Sequence, residues 1–246
     1  MESSILSPRE IRRYSRQIMI PEIGITGQEK LRQARVFVVG AGGLGCPVLQ
    51  YLTVSGVGKI GIAEFDKVNE ANLQRQVLYG SDDIGKLKSI IAKNRLLQIN
   101  SLTEIEIFNL RIDDTNAPGI LNNYDIIVDA TDNLESRYAI DDFCSTFNKP
   151  MVHGAIYKYE GQVSVFNYKR SPSYRYYNPP FEPGNYRNPL PSEVGLMGVL
   201  PGVTGTYMAN EVIKIITDTG DVLAGNILVF NILFNLFHVI KLTKGE

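Results

Sequence analysis

Three glycines open the chemistry of this chain. Gly40, Gly42 and Gly45, in Val38-Val39-Gly40-Ala41-Gly42-Gly43-Leu44-Gly45, close an apolar run and precede a helical one. A G-x-G-x-x-G turn in that setting lets backbone approach phosphate oxygens, and the helix it opens offers unpaired N–H groups and positive partial charge. About 20 residues on, Glu64 ends the next apolar run, where an acid hydrogen-bonds a ribose hydroxyl, and Asp66 keeps a second acid nearby. The turn alone does not choose between a dinucleotide and ATP. Hydride transfer needs only positioning at a pyrophosphate, whereas attack at the α-phosphorus of ATP must neutralise a triphosphate and a growing leaving-group charge. The second task calls for several cations and a metal-binding carboxylate, and Arg16, Arg75, Lys88 and Asp132 supply them. Each has a plainer reading: Lys88 on a solvated helix face, Arg75 in an ordinary loop, Asp132 capping the helix after it.

The elements that must position these residues alternate in type. Ser7-Pro8-Arg9-Glu10 has the form of a helix start, and the helix it predicts carries Arg9, Arg12, Arg13 and Arg16; Thr26-Gly27-Gln28-Glu29 predicts a second short helix after it. Strands are expected at 36–39, 59–65, 104–108 and 125–130, with helices at 44–54, 84–99 and 134–147 and a short one between the third and fourth strands. Apolar strands alternating with helices predict an α/β, Rossmann-like doubly wound sheet, mainly parallel. After Pro150 come two consecutive strands (151–157 and 161–168), a long Pro/Tyr/Asn-rich loop (169–194), a helix (201–217) and an antiparallel terminal pair near 227–230 and 235–242. The whole of 1–246 reads as one domain, with N-terminal helices (7–34), a nucleotide-binding core (35–150) and a C-terminal part (151–246).

Composition bounds the rest. Of 246 residues, 44% are hydrophobic, enough for a sizeable core, and 25 basic against 26 acidic residues give no sign of a nucleic-acid or membrane-surface partner. Cys46 and Cys144 are too few for a disulfide framework, no apolar leader segment opens the chain, and no apolar run reaches the ~18 residues of a membrane span, so a soluble, cytoplasmic protein is expected.

The ordered set Arg13-Tyr14-Ser15-Arg16-Gln17, Gly40-Ala41-Gly42-Gly43-Leu44-Gly45, Asn72-Leu73-Gln74-Arg75-Gln76, Gly85-Lys86-Leu87-Lys88 and Asp129-Ala130-Thr131-Asp132-Asn133 resembles the adenylyltransferases that activate ubiquitin-like sulfur carriers, including the catalytic domain of ubiquitin-activating enzymes. Glu160-Gly161-Gln162 and Ala209-Asn210-Glu211 extend the likeness over nearly the whole chain. The resemblance implies that the C-terminal carboxylate of a small Gly-Gly protein attacks the α-phosphate of ATP, giving an acyl-adenylate and pyrophosphate, in thiamine or molybdenum-cofactor biosynthesis. It implies nucleotide contacts from Gly42, Gly43, Glu64, Asp66, Asn72, Lys88 and Asn133, a magnesium ion on Asp132, phosphate contact from Arg16, and Arg75 as an arginine finger across a homodimer interface. The terminal apolar strands would seat the carrier, and the loop from Ser171 to Ser192 would close over its tail.

The chain departs from that family in three places. Where relatives often hold zinc between two C-x-x-C pairs, the first pair's positions are Ser173 and Tyr176 and no second pair follows, so no zinc is expected. No cysteine follows Cys144, so a covalent relay through the loop around Pro189-Leu190-Pro191-Ser192-Glu193 is not available. Cys46 reads as packing rather than as a nucleophile, and Glu64 stands where a shorter acid is usual. His153 and His238 lie in apolar strands and receive no catalytic role, since an ionised carboxylate needs no base. Two alternatives remain: an NAD-dependent oxidoreductase, which would leave Arg75, Lys88 and Asp132 unused, and a relative that activates another peptide carboxylate or only binds a carrier.

Overall fold

The computed structural model describes residues 5–180 and 195–242. The neighbourhood of Pro189 to Glu193, and with it most of the loop expected to close over a carrier tail, lies outside the described residues. A single sheet runs in the order β3-β2-β1-β4-β5-β6-β7-β8. Its parallel part comprises β1 (Arg35–Val39), β2 (Lys59–Ala63), β3 (Glu104–Phe108), β4 (Ile126–Asp129) and β5 (Met151–Tyr157). β6 (Glu160–Phe166), β7 (Asn226–Asn231) and β8 (Leu236–Lys241) extend it antiparallel.

β1 shows why apolar runs became parallel strands. Val36 and Val38 pack on one face with Ile60, Ile62, Leu49, Leu52 and Met208, while Phe37 and Val39 pack on the other with Ile127, Tyr124, Ile140 and Phe143. Both faces are covered, so no polar alternation survives in the sequence. Helices α3 (Gly24–Gln33), α4 (Gly45–Ser55), α5 (Lys88–Ile99) and α9 (Val199–Thr217) contribute to the first face, and α6 (Ala117–Leu121) and α7 (Leu134–Phe147) to the second.

Four local differences from the sequence reading have physical causes. α1 (Pro8–Arg13) has the expected reciprocal cap, Ser7 Oγ accepting from Glu10 N and the Glu10 carboxylate from Ser7 N. It ends at Tyr14, however, whose ring is buried and whose hydroxyl accepts from Asn100 Nδ2 at 2.9 Å, so Arg16 lies in a separate turn, α2 (Ser15–Ile18). α3 starts at Gly24, which puts Thr26 inside the helix rather than at its cap. Residues 84–87 are not helical: Gly85 sits at φ +84°, outside the right-handed region, and α5 begins only at Lys88. The expected long loop contains α8 (Tyr174–Tyr177), started by Ser173 Oγ accepting from Tyr176 N.

Candidate nucleotide site

The sheet reverses its winding between β1, which leads on to β2, and β4, which pairs with β1 on the other side. Ligands of doubly wound sheets collect at that crevice. Val39 pairs with Asp129, so the glycine turn and residues 130–133 leave the sheet side by side. Gly40 has φ +97°, and a Cβ there would stand 2.7 Å from the Ala130 carbonyl oxygen. A Cβ on Gly45 would stand 2.0 Å from the Gly40 oxygen. The fold itself therefore requires these two glycines. Gly42 differs, because the nearest atom to a Cβ there is the Gln76 amide nitrogen, at an ordinary 3.6 Å. Nothing in the packing demands Gly42, and its bare backbone is left open to approach.

Glu64 pins the turn from beneath: one carboxylate oxygen accepts from Ala41 N at 3.0 Å and the other from Asp66 N at 2.8 Å. The expected ribose acid thus lies against the turn with both oxygens engaged by backbone and little exposure. The Ala41 carbonyl accepts from the Tyr79 hydroxyl at 2.7 Å and faces the Cys46 thiol. Burial pushes the Cys46 thiol up to about 12, the reverse of what an activated nucleophile at a helix start requires, which leaves Cys46 as packing.

The cations do not share one environment. Lys88, the first residue of α5, is 4% exposed, which removes its reading as a solvated lysine; its ammonium lies 3.2 Å from the half-exposed Asp66 carboxylate. An antiparallel bridge between Lys67 and Leu87 and the Lys88 N–H to Asp66 O bond hold this pair of segments together. Arg75 follows a 3₁₀ turn (Glu70–Asn72), in which the Asn72 carbonyl accepts from both Arg75 N and Gln76 N. Its guanidinium donates to the Ala71 carbonyl at 3.1 Å and forms no ion pair among the described residues. Arg75 Cδ comes within 3.7 Å of a Cβ placed on Gly43 of its own chain, with Pro201 of α9 closing the other side. Within one chain, the short connection from β2 through the 3₁₀ turn places Arg75 beside its own glycine turn.

Arg16 lies elsewhere. The neighbouring Gln17 donates to the Ser55 carbonyl at the C-terminal end of α4, and Tyr14 packs on Gly56 just beyond it. Eleven helical residues, about 16 Å, separate that end of α4 from the glycine turn at its start. Arg16 is thus not brought together with Arg75, Lys88 and Asp132 within one chain.

Asp132 has the opposite fate to the one a cap would give it. Asn133, not Asp132, caps α7, its side-chain oxygen accepting from Ser136 N at 2.9 Å. The Asp132 carboxylate is exposed and has no partner among the described residues. One free carboxylate beside a phosphate-binding turn fits magnesium, which is held by one or two carboxylates plus phosphate oxygens and water rather than by a protein cage. No group of three or more His, Cys, Asp or Glu able to hold a metal occurs among the described residues, and Ser173 caps α8.

Sequence reasoning missed two features. Gln76 is buried beside Gly42, and its side-chain oxygen has no hydrogen-bond partner among the described residues. His153 is a satisfied core histidine as read, but its partner is informative: Nδ1 lies 2.7 Å from the buried Asp129 carboxylate, which Arg137 also engages at 3.0 Å. Burial would raise the Asp129 pKa, but the Arg137 charge and the His153 hydrogen bond override it and hold the carboxyl well below the usual range. Burial, then Arg137, lowers that of His153, so the neutral ring donates Nδ1–H to Asp129.

An open, mainly parallel sheet with a glycine turn at its reversal point defines a Rossmann-like protein. The chain belongs to the ThiF family, whose model matches residues 14–246. It is 45% identical over 242 residues to a sulfur carrier protein adenylyltransferase from Thermus thermophilus, covering 96% of this chain and 89% of the relative. It is 46% identical over 240 residues to a probable molybdopterin-synthase adenylyltransferase from Porphyra purpurea, covering 98% of this chain but 63% of the relative, and it spans 54% of an adenylyltransferase and sulfurtransferase, MOCS3, from Anopheles gambiae. The Escherichia coli protein MccB solved with ATP has the same fold, with a TM-score of 0.80 at 23% identity over 95% of this chain and 72% of that one. No helix among the described residues is long and apolar enough to cross a membrane.

Proposed function

We propose that this chain is an ATP-dependent adenylyltransferase that activates the C-terminal glycine carboxylate of a ubiquitin-like sulfur carrier, in molybdenum-cofactor or thiamine biosynthesis. The observation that carries the reading is charge that the described residues leave uncompensated or weakly compensated around one phosphate-binding turn: the free Asp132 carboxylate, the Arg75 guanidinium with no ion pair, and the buried Lys88 with a single half-exposed anion. Burying a cation with so little compensation is costly unless a further anion completes the site.

In this reading the Gly42–Gly43 backbone and the start of α4 receive phosphate oxygens, Lys88 and Arg75 neutralise the charge that grows on departing pyrophosphate, and the Asn72 and Asn133 amides orient the nucleotide. Asp66 reaches the ribose hydroxyls, while Glu64 shapes the turn. Asp132 holds magnesium, which when bound supplies further neutralisation of phosphate charge. The carrier carboxylate, already ionised, attacks the α-phosphorus, and the bond from that phosphorus to the bridging oxygen of pyrophosphate breaks. The stretch that matches the relatives' relay loop, Pro189 to Glu193, has no cysteine, so in this reading the step gives the acyl-adenylate itself. The carrier seats on β7 and β8, where all six residues of β8 are exposed.

Arg16 belongs to the site of a second copy. It is exposed at the far end of α4, and Met19, Ile20 and Ile25 beside it expose apolar surface for an interface. The test is complementation between two inactive dimers. Re-formed together, Arg16→Ala and Asp132→Ala chains regain ATP–pyrophosphate exchange, because one mixed site has both residues. Arg75→Ala and Asp132→Ala do not. Failure of exchange with every Gly-Gly carrier, from folded wild-type protein, would overturn the adenylyltransferase reading.

A further inference from the structure

Of the polar side chains that end β4 and line the loop after it, Asp129, Thr131, Asp132 and Asn133, three are hydrogen-bonded within the chain. Asp129 accepts from Thr131 N at 3.0 Å and from the Thr131 hydroxyl through one oxygen, and from Arg137 Nε and His153 Nδ1 through the other. Arg137 Nη2 donates to the Thr131 carbonyl at 2.9 Å. Asn133 caps α7. Asp132 alone projects without a partner among the described residues, from a peptide gripped on both sides.

The Arg137 to Thr131 bond is more than charge balance requires. Neutralising the buried Asp129 needs only the Nε contact. The second arm of the fork fixes the carbonyl that immediately precedes Asp132, and a planar guanidinium fixes both directions at once in a way an ammonium cannot. The third arm lies 3.4 Å from the Tyr174 hydroxyl, and the guanidinium sits 5.6 Å from the centre of that ring. Tyr174 is the first residue of α8, and Asp141, one turn after Arg137 on α7, accepts from Tyr174 N and Arg175 N at 2.8 Å each. One face of α7 thus clamps α8 at one turn and the Asp132 loop at the turn before.

We infer that Arg137 is a positioning residue for the magnesium carboxylate, holding the Thr131 peptide so that Asp132 projects towards the phosphates, and that Tyr174 buttresses its guanidinium. The inference rests on the adenylyltransferase reading and on Asp132 as the metal residue. It assigns Arg137 no contact with ATP. Its loss therefore weakens the response to magnesium, not the binding of metal-free nucleotide.

The experiment measures ATP affinity of the full chain by calorimetry, in chelator and across a magnesium titration, beside thermal unfolding. Arg137→Lys keeps a cation at Asp129 and loses the fork; the magnesium concentration giving half-maximal enhancement of ATP affinity should rise about tenfold, with metal-free affinity within about twofold of wild type. Tyr174→Phe, which keeps the ring and the fold, should shift the same midpoint by about threefold, the loss of one hydrogen bond. If Arg137→Lys does not fold, Tyr174→Phe decides alone. A variant that weakens metal-free and magnesium-bound ATP equally, or leaves the midpoint unmoved, overturns the inference while leaving the adenylyltransferase reading intact. Wild-type protein whose ATP affinity ignores magnesium overturns the role of Asp132 and this inference with it.

Discussion

The middle of the sheet and its β8 edge are built to different rules. β1 and β4 are buried on both faces, with Val36, Phe37, Val38, Ile127 and Val128 fully covered, whereas Leu236, Phe237, Val239 and Ile240 of β8 are roughly half exposed or more although the strand is almost as apolar. Hydrophobic residues in the first region stabilise the fold. Those in the second are less covered by the chain itself, Phe237 excepted in its stacking on Phe230, and in the proposed function an incoming carrier covers them. Apolar character alone does not separate the two uses; what covers it does.

Removing the same atoms from each region gives the sharpest contrast. Ile127→Ala should cost about 2–5 kcal/mol in denaturant unfolding, the range for a large-to-small change in a packed core. Ile240→Ala, the same change on a residue 52% exposed, should stay within about 0.5 kcal/mol. Equal losses would erase the distinction. Next in size is a change at the candidate nucleotide site: Arg75→Ala should lower carrier-dependent pyrophosphate exchange by about 10²–10³, the scale for deleting one preorganised charge stabiliser. Carrier affinity should not follow it. The converse variant, Val239→Asp with Ile240→Asp, should weaken carrier binding by about fivefold or more while leaving ATP affinity in place. A variant that moved both together would break the division between the regions.

The smallest effect is a dependence on pH confined to the parallel end. His153 has its pKa lowered by burial and by Arg137, so the folded state keeps it neutral while the unfolded chain takes up a proton below the ordinary value of 6.5. Stability should therefore fall as pH drops below about 6.5. Asp129, held low, adds its own loss only below the ordinary carboxyl value of 3.8, as pH falls towards its depressed folded value. His153→Gln, which can still donate to Asp129 but does not titrate, should flatten the slope between pH 7 and 5 in thermal unfolding; an unchanged slope would remove His153 as its source.

The same contrast explains what was legible. Strands buried on both faces, β1 and β4 above all, announce themselves as apolar runs, and the edge strand β3 by its alternation of Glu104 and Glu106 with Ile105 and Ile107, so the order of strands and helices could be read, as could the turn at Gly40 to Gly45. Helix starts were less secure. The periodicity at 84–99 continues past Gly85, but the positive φ of that glycine breaks the helix, and nothing in the letters distinguishes it from a tolerated helical glycine. The arginines were visible as cations and invisible as positions: the place of Arg16 depends on Tyr14 turning into the core and on α2 meeting the far end of α4, which are tertiary facts. The Asp129, Arg137 and His153 cluster joins residues 8 and 24 apart in sequence, through a strand pairing that only the folded sheet creates.

Asp132 and Asn133 carry a consequence of their own. Two adjacent, nearly isosteric residues are used differently: Asn133 caps α7, whereas the Asp132 carboxylate has no partner among the described residues and, in the proposed function, holds the metal. Exchanging them, Asp132→Asn with Asn133→Asp, keeps composition and net charge, and aspartate is as good a cap as asparagine and better placed against a helix dipole. Such a protein should fold at least as well as the parent and be unable to use ATP. Within this dipeptide, order rather than content separates a stable protein from a working one.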